Sequence, residues 1–263
     1  MTYKIGNVAN QRALWIDGGA DVAAYTPSSA GIANLSPQPD EAFSVFFWGR
    51  GTTYGGNQFF TGQRNTSSPY EGWDIELENG TGKGQVSIYS EVSGGLRALI
   101  TKSSDIMVSM YYNGWYHLGF TYSGTGETDS LKLYMNGQDI TDTTTLDTGT
   151  AAEFIGGAIS VQPFWMGFSA WSVGNAYTGC QLGVYSGALS AVQVREIYSG
   201  QGNKPGPCDL RNMLGGAVGV SLVGYWLYGN TADTVTTLQD GSGNNFDLTG
   251  SSLSAGQLSP VRF

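Results

Sequence analysis

Residues 113–140 read NGWYHLGFTYSGTGETDSLKLYMNGQDI. Two runs in this stretch, WYHLGFTYS and SLKLYM, alternate apolar with small or polar residues. That is the period of a pleated strand, whose successive side chains point to opposite faces. Asn136-Gly137 follows the second run. An Asn-Gly pair readily adopts the two positive φ angles that a two-residue hairpin requires. The stretch therefore predicts antiparallel strands and a tight hairpin.

Working outward, the same period recurs in AFSVFFWGR (42–50), QFFTGQR (58–64), GWDIELENG (72–80) and QVSIYSEV (85–92). EFIGG (153–157), FWMGFSA (164–170) and TGCQLGVYSG (178–187) complete the series of expected strands. In GWDIELENG, Trp73, Ile75 and Leu77 face one way, and Asp74, Glu76 and Glu78 the other. The gaps hold Gly, Asn, Ser and Thr, the residues of strand connections. One helix is predicted, in GALSAVQVREIYSG (187–200). Ser190 caps it, Val192, Val194, Ile197 and Tyr198 supply apolar positions, and Gly200 stops it. Strands at this spacing without intervening helices predict an all-β, antiparallel β-sandwich with one short helix near residues 190–199.

Composition agrees. Of 263 residues only 13% are charged, while 40 are Gly and 13% are aromatic. Such an aromatic load excludes a disordered chain, and the glycine lacks the three-residue period of collagen. No apolar run is long enough to cross a membrane as a helix. Surface scaling predicts roughly 11,000 Å² of folded surface, enough burial to dispense with a disulfide. Cys180 and Cys208 lack metal-ligand spacing, and two unpaired, half-buried thiols are expected; a disulfide is the alternative outside a cell. The formal charge is −9, and the basic residues are scattered singly, as at Lys4, Arg12, Arg50, Arg64, Lys83 and Arg97. Without a basic stripe, direct nucleic-acid binding is not expected. The N-terminal residues lack the apolar core of a secretory signal.

Organisation changes after the helix. GQGNKPGPCDLRNM (200–213) reads as a linker, VGVSLVGYWLYGN (218–230) resumes strand character, and DGSGNNFDLTG (240–250) reads as a turn-rich loop entering a strand. The expected division is a sandwich over 1–200, and a linker with C-terminal strands over 201–263. Those strands pack on the same sandwich or on a neighbouring subunit.

The run 113–140 resembles the laminin-G-like and concanavalin A-like sandwich, with its W-x-H strand followed by L-x-L-Y-x-x-G. ALWIDGGADV (13–22), FIGG and GCQLGVYSGALSAVQVREIYSG (179–200) extend the resemblance over roughly residues 10–200. It implies a concanavalin A-like jelly roll. The tail segment LVGYWLYGN…LQDGSGNNFDLTG resembles a part that usually precedes the first strand, displaced here to the end. That order is similar to laminin-G-like structural proteins of tailed bacteriophages. The resemblance implies a non-enzymatic virion protein: a capsid decoration, head fibre or tail-associated module. It would contact capsid or tail subunits, form homo-oligomers, and reach the virion after synthesis in the host cytoplasm. The scarcity of Lys and Glu fits a protein-contacting surface. The alternative is a lectin-like module binding host glycan, and a third reading is a glycoside hydrolase.

Each reading names residues. Loop aromatics Tyr54, Trp171 and Tyr177, in TTYGGNQ (52–58) and WSVGNAY (171–177), are the candidate glycan or partner contacts. Laminarinase-type hydrolases on this fold carry E-x-D-x-E, needing two carboxyls about 5 to 5.5 Å apart. Here D-x-E-x-E stands at Asp74, Glu76 and Glu78, and a solvent-facing strand side is the expectation instead. His117, the single histidine, is expected to be structural, because a Ser–His–Asp site would have to use it and no nucleophile elbow is present. GTGKG (80–84) lacks the phosphate-loop ending and reads as a hairpin turn. No cofactor is expected. Calcium is the alternative, through loop residues Asp17, Asp21, Asp240 and Asp247.

Overall fold

The computed structural model describes residues 12–16, 22–51, 58–65, 68, 70–77, 83–93, 95–103, 114–166, 177–200, 206–214, 219–227, 236–251 and 258–260. The protein is an antiparallel β-sandwich of two sheets. Sheet A contains β1 (Arg12–Ile16), β3 (Phe43–Gly51), β8 (Tyr116–Tyr122), β9 (Leu131–Met135), β10 (Gln138–Asp139), β13 (Tyr177–Ser186), β14 (Ser221–Leu227) and β17 (Leu258–Pro260). Sheet B contains β2 (Val22–Tyr25), β4 (Gln58–Arg64), β5 (Gly72–Leu77), β6 (Gly84–Val92), β7 (Gly95–Ser103), β11 (Thr143–Leu146), β12 (Phe164–Met166), β15 (Thr237–Leu238) and β16 (Leu248–Ser251). Its strand order is β11-β7-β6-β5-β4-β12-β2-β16-β15. The accessible surface is 11192 Å², matching the scaling expectation.

Alternation builds the core. Phe43, Val45 and Phe47 of β3, and Leu118, Phe120 and Tyr122 of β8, meet Trp73 and Ile75 of β5 and Val86 and Ile88 of β6 between the sheets. Asn136 and Gly137 turn the chain from β9 into β10 with φ of 51° and 76°, the two left-handed residues of the expected hairpin. β5 and β6 are antiparallel partners, pairing Leu77 with Gly84.

Sheet A is buried on its second face too. Phe46 of β3, Tyr134 of β9 and Tyr185 of β13 form another apolar cluster with Leu189, Val194 and Ile197. The last two lie on a helix, here α2 (Ala191–Ser199). Ser190 and Gln193 form a capping box at its start, and Gly200 caps its end, as the sequence predicts. Val192 departs from the expected apolar face: it is 64% exposed. Its position, two residues from Val194, turns it to the opposite side of the helix.

The C-terminal residues join both sheets. β14 runs beside the second half of β13, and β1 beside the first half. β16 pairs with β2, and β17 with β1. Trp226 of β14 is buried between the sheets, stacked 5.2 Å from Phe164, and its indole N–H donates to the Phe246 carbonyl at 3.0 Å. The stretch read as a linker is partly core: Cys208 and Leu210 are buried. The Cys208 carbonyl accepts hydrogen bonds from Gln181 Nε2 and from the Tyr225 hydroxyl.

Three expectations need correction. EFIGG is not a strand: residues Ala151–Ile155 form a short helix, α1. Thr150 and Glu153 make a capping box, with the Thr150 N–H donating to Glu153 Oε2 at 2.8 Å, and this local bonding outweighs the strand-like pattern. GLRALITKS (95–103) and TTTL (143–146), not read as strands, are β7 and β11. Cys180 and Cys208 are not joined in a disulfide, as expected, but both are buried rather than half buried, since sheet A is covered on both faces.

Candidate functional site

The second face of sheet B is unlike that of sheet A. Strand register lines up a row from β6 to β2: Ser87 opposite Asp74, Asp74 opposite Gly62, Gly62 opposite Trp165, and Trp165 opposite Ala24. A second row sets Tyr89 opposite Gly72 and Gly72 opposite Arg64. A third sets Lys102 opposite Gln85 and Gln85 opposite Glu76. These residues have the parity opposite to Trp73, Ile75, Val86 and Ile88, which fill the core.

Glycines form the floor of two rows, and long neighbours lie across them. A Cβ on Gly62 would stand 2.8 Å from Trp165 Cζ2 and 2.7 Å from the Trp73 carbonyl oxygen, so the indole covers the glycine towards Asp74. Gly72 leaves the second row open, and the Arg64 guanidinium reaches over it to lie 4.0 Å from the Tyr89 ring centre, a cation–π distance. The bulge in β4 between Phe59 and Thr61 sets this register. A glycine inside a strand beside a bulge is the sequence signal that such close approach leaves.

The carboxylates here are not solvent-facing. Asp74 is fully buried and accepts from Arg64 Nη1 at 2.6 Å. Its other oxygen, Oδ1, has no hydrogen-bond partner among the described residues. Burial raises the Asp74 pKa above the ordinary carboxylate value, and the Arg64 charge opposes that rise. Burial, the largest single influence, works against the Arg64 charge, but Asp74, Tyr89 and Glu76 together outweigh it and raise the guanidinium pKa. At 2.6 Å the contact has the short length of a charge-assisted hydrogen bond. Glu76, 5% exposed, accepts from Gln85 Nε2 at 2.6 Å, and the same amide donates to Ser87 Oγ at 2.9 Å. Glu78 lies outside the described residues.

The face opens at one end. Tyr70 is 37% exposed and lies 6.0 Å from the Arg64 guanidinium, and Arg64 and Tyr89 are partly exposed. Tyr70 and the partly exposed Arg64 and Tyr89 are the groups that can stack on or hydrogen-bond a ligand here, while Asp74, Glu76, Gln85 and Ser87 are buried. Sequence reasoning missed Arg64, Gly62, Gln85, Tyr70, Tyr89 and Trp165, because only the register brings them together.

Other sequence candidates fall elsewhere. Tyr54 and Trp171 lie outside the described residues, as does the Tyr177 side chain; its backbone is the first residue of β13. Asp17 and Asp21 are also outside them. Asp240 shapes its own loop: its carboxylate accepts from the N–H groups of Tyr225, Ser242 and Phe246 and from the Ser242 hydroxyl, at 2.7 to 3.1 Å. Asp247 Oδ1 accepts from the Asp240 N–H at 2.8 Å. His117 is on the opposite sheet, stacked 5.2 Å from Phe46 and tilted against Trp48 at 5.3 Å. Burial pushes its pKa down to about 3, so the imidazole is neutral.

No protein-family description matches the sequence, and no curated protein matches it. Solved structures do. The binding domain of botulinum neurotoxin DC in complex with rat synaptotagmin II superposes with a TM-score of 0.50 at 14% identity, over 74% of this chain and 43% of that one. The shared fold is a β-sandwich. The same toxin domain in complex with SialylT gives 0.49 at 13% identity, again over 74% and 43%. The CBM40 of a Ruminococcus gnavus IT-sialidase gives 0.44 at 14%, over 73% of this chain and 99% of that one. The chain thus spans less than half the length of the toxin domains it matches.

Proposed function

We propose that the protein is a non-enzymatic glycan-binding module whose sugar docks on the outer face of sheet B, entering past Tyr70. The observation that carries this reading is the buried Arg64–Asp74 pair beside the Glu76–Gln85 contact, on a face the core does not use. A buried ion pair adds little stability over apolar residues of the same volume, and perturbed ionisable groups gather at functional sites. Several structural neighbours are themselves described as binding domains or as bound to sialyllactose, which supports the choice of ligand class. Hydrolysis is disfavoured because Asp74 is held by Arg64 and Glu76 by Gln85, leaving neither poised to attack or protonate a sugar. Binding is taken to need no metal, since Asp240 and Asp247 are committed to backbone N–H groups.

A glycan array probed with the whole chain, with and without EDTA, tests this reading. Saturable binding that survives EDTA is expected, with no cleavage of the bound sugar. A blank array overturns it.

A second reading concerns where the module works. The helix–linker–YW–SGN order of residues 187–250 supports a laminin-G-like component of a tailed-phage virion, touching capsid or tail subunits as a homo-oligomer. Mass spectrometry of purified particles tests it, and absence from the particle removes it.

A further inference from the structure

One side of α2 is turned away from the sandwich. Val194 and Ile197 point into the cluster on sheet A. Val192, Arg195, Glu196 and Ser199 form the opposite stripe, at the three- and four-residue spacing of one helix face. Together with Gly200 and Met213 this stripe lines an open groove of about 370 Å³. Val192, 64% exposed, is the most exposed large apolar side chain among the described residues. Arg195 and Glu196 are both exposed, and neither side chain has an ion-pair or hydrogen-bond partner among the described residues. The stripe is complementary to itself. Val192 and Ser199 lie equally far on either side of the Arg195–Glu196 junction. A two-fold axis through that junction lays a second α2 antiparallel to the first, so that contacts are reciprocal. Each Arg195 then faces the partner's Glu196, and each Val192 meets the partner's Ser199 and Gly200, whose small size leaves room for it. Charges unpaired in one copy are paired in two, and the exposed valine is covered.

We infer that the outer side of α2 is a self-association surface whose occupant is a second copy of this chain, held by two reciprocal Arg195–Glu196 pairs flanked by the Val192 contacts. A helix of nine residues is about 14 Å long. The buried area therefore falls at the low end of interface sizes, and the dimer is weak and concentration-dependent. Because α2 covers sheet A, pairing leaves the outer face of sheet B directed away from the contact on both copies. The surface stands on the helix alone and does not depend on what sheet B binds.

Sedimentation velocity of the full chain, from about 10 μM to about 1 mM, tests this. Wild type is expected to pass from monomer towards dimer over that range, and to associate less as salt rises from about 50 to about 500 mM and screens the pairs. Arg195→Glu sets two carboxylates against each other at each pair, and is expected to weaken the dimer at least about tenfold. Glu196→Arg should do the same with two cations. The double variant carrying both changes restores opposite charges in reversed order, and is expected to return to within about threefold of wild type. Both positions are exposed, so each variant should keep the wild-type unfolding midpoint. A wild type that stays monomeric throughout overturns the proposal. So does association that either single variant leaves unchanged, or that the double variant fails to recover.

Discussion

The two sheets present opposite outer faces, although the same two-residue alternation builds both. On sheet A, Phe46, Tyr134 and Tyr185 are sealed beneath α2 and the Cys208–Leu210 segment. On sheet B, the equivalent positions carry Arg64, Asp74, Glu76, Gln85 and Ser87, mostly buried yet polar. The first face exists to be covered, and its residues contribute by losing water. The second must satisfy charges away from solvent, which costs free energy that packing alone does not require. Burial alone does not distinguish structural from functional residues; the chemistry of what is buried does.

The largest expected effects strike each face differently. Phe46→Ala should cost about 3–5 kcal/mol through a cavity under α2, read by urea unfolding, while glycan affinity of the folded fraction stays unchanged. Arg64→Ala should cost a similar ~3–5 kcal/mol by leaving Asp74 unpaired, and binding should fail. Converting sheet B's face towards sheet A's character, with Arg64→Met and Asp74→Leu together, should restore stability to within ~1 kcal/mol of wild type or better. Glycan binding should remain lost. A double variant as unstable as Arg64→Ala would mean the pair is needed for folding rather than for a ligand.

Acid should test sheet A through His117. Its pKa in the folded chain is pushed down to about 3, below the ordinary value of about 6.5 in the unfolded chain. The unfolded state therefore takes up the proton first. Stability is fully present above pH ~6.5 and falls by up to about 1.4 kcal/mol per pH unit towards pH ~3. His117→Gln should flatten that part of the profile, whatever its packing cost. A profile with unchanged slope would contradict the burial assigned to the imidazole. Smaller again, Ser190→Ala should cost about 1 kcal/mol by removing the α2 cap, seen as a shift in the unfolding midpoint.

Much of the fold was legible in the sequence, and the site was not. The strands around His117, the Asn136-Gly137 hairpin and the Ser190 cap are local signals, set by residues a few positions apart. EFIGG reads as a strand because Phe154 and Ile155 are strand-forming residues ahead of a Gly-Gly turn signal, while the Thr150–Glu153 box that decides α1 sits at its edge. β7 was missed because GLRALITKS mixes basic residues into its alternation. The carboxylate row of Asp74 and Glu76 was visible, but not its burial. Arg64 comes from β4, Tyr89 from β6 and Trp165 from β12, and only the register across a bulge places them beside Asp74. Pairing over such sequence distances leaves no periodic trace.

Tyr70 offers the most direct test, because it guards the open end of the sheet B face and is 37% exposed. Tyr70→Ala should change stability by no more than about 0.5 kcal/mol. Titrating the strongest glycan ligand into wild type and Tyr70→Ala should show affinity falling about tenfold or more in the variant, the worth of one lost stacking surface. Equal affinity in two equally stable proteins would contradict the placement of the glycan on sheet B.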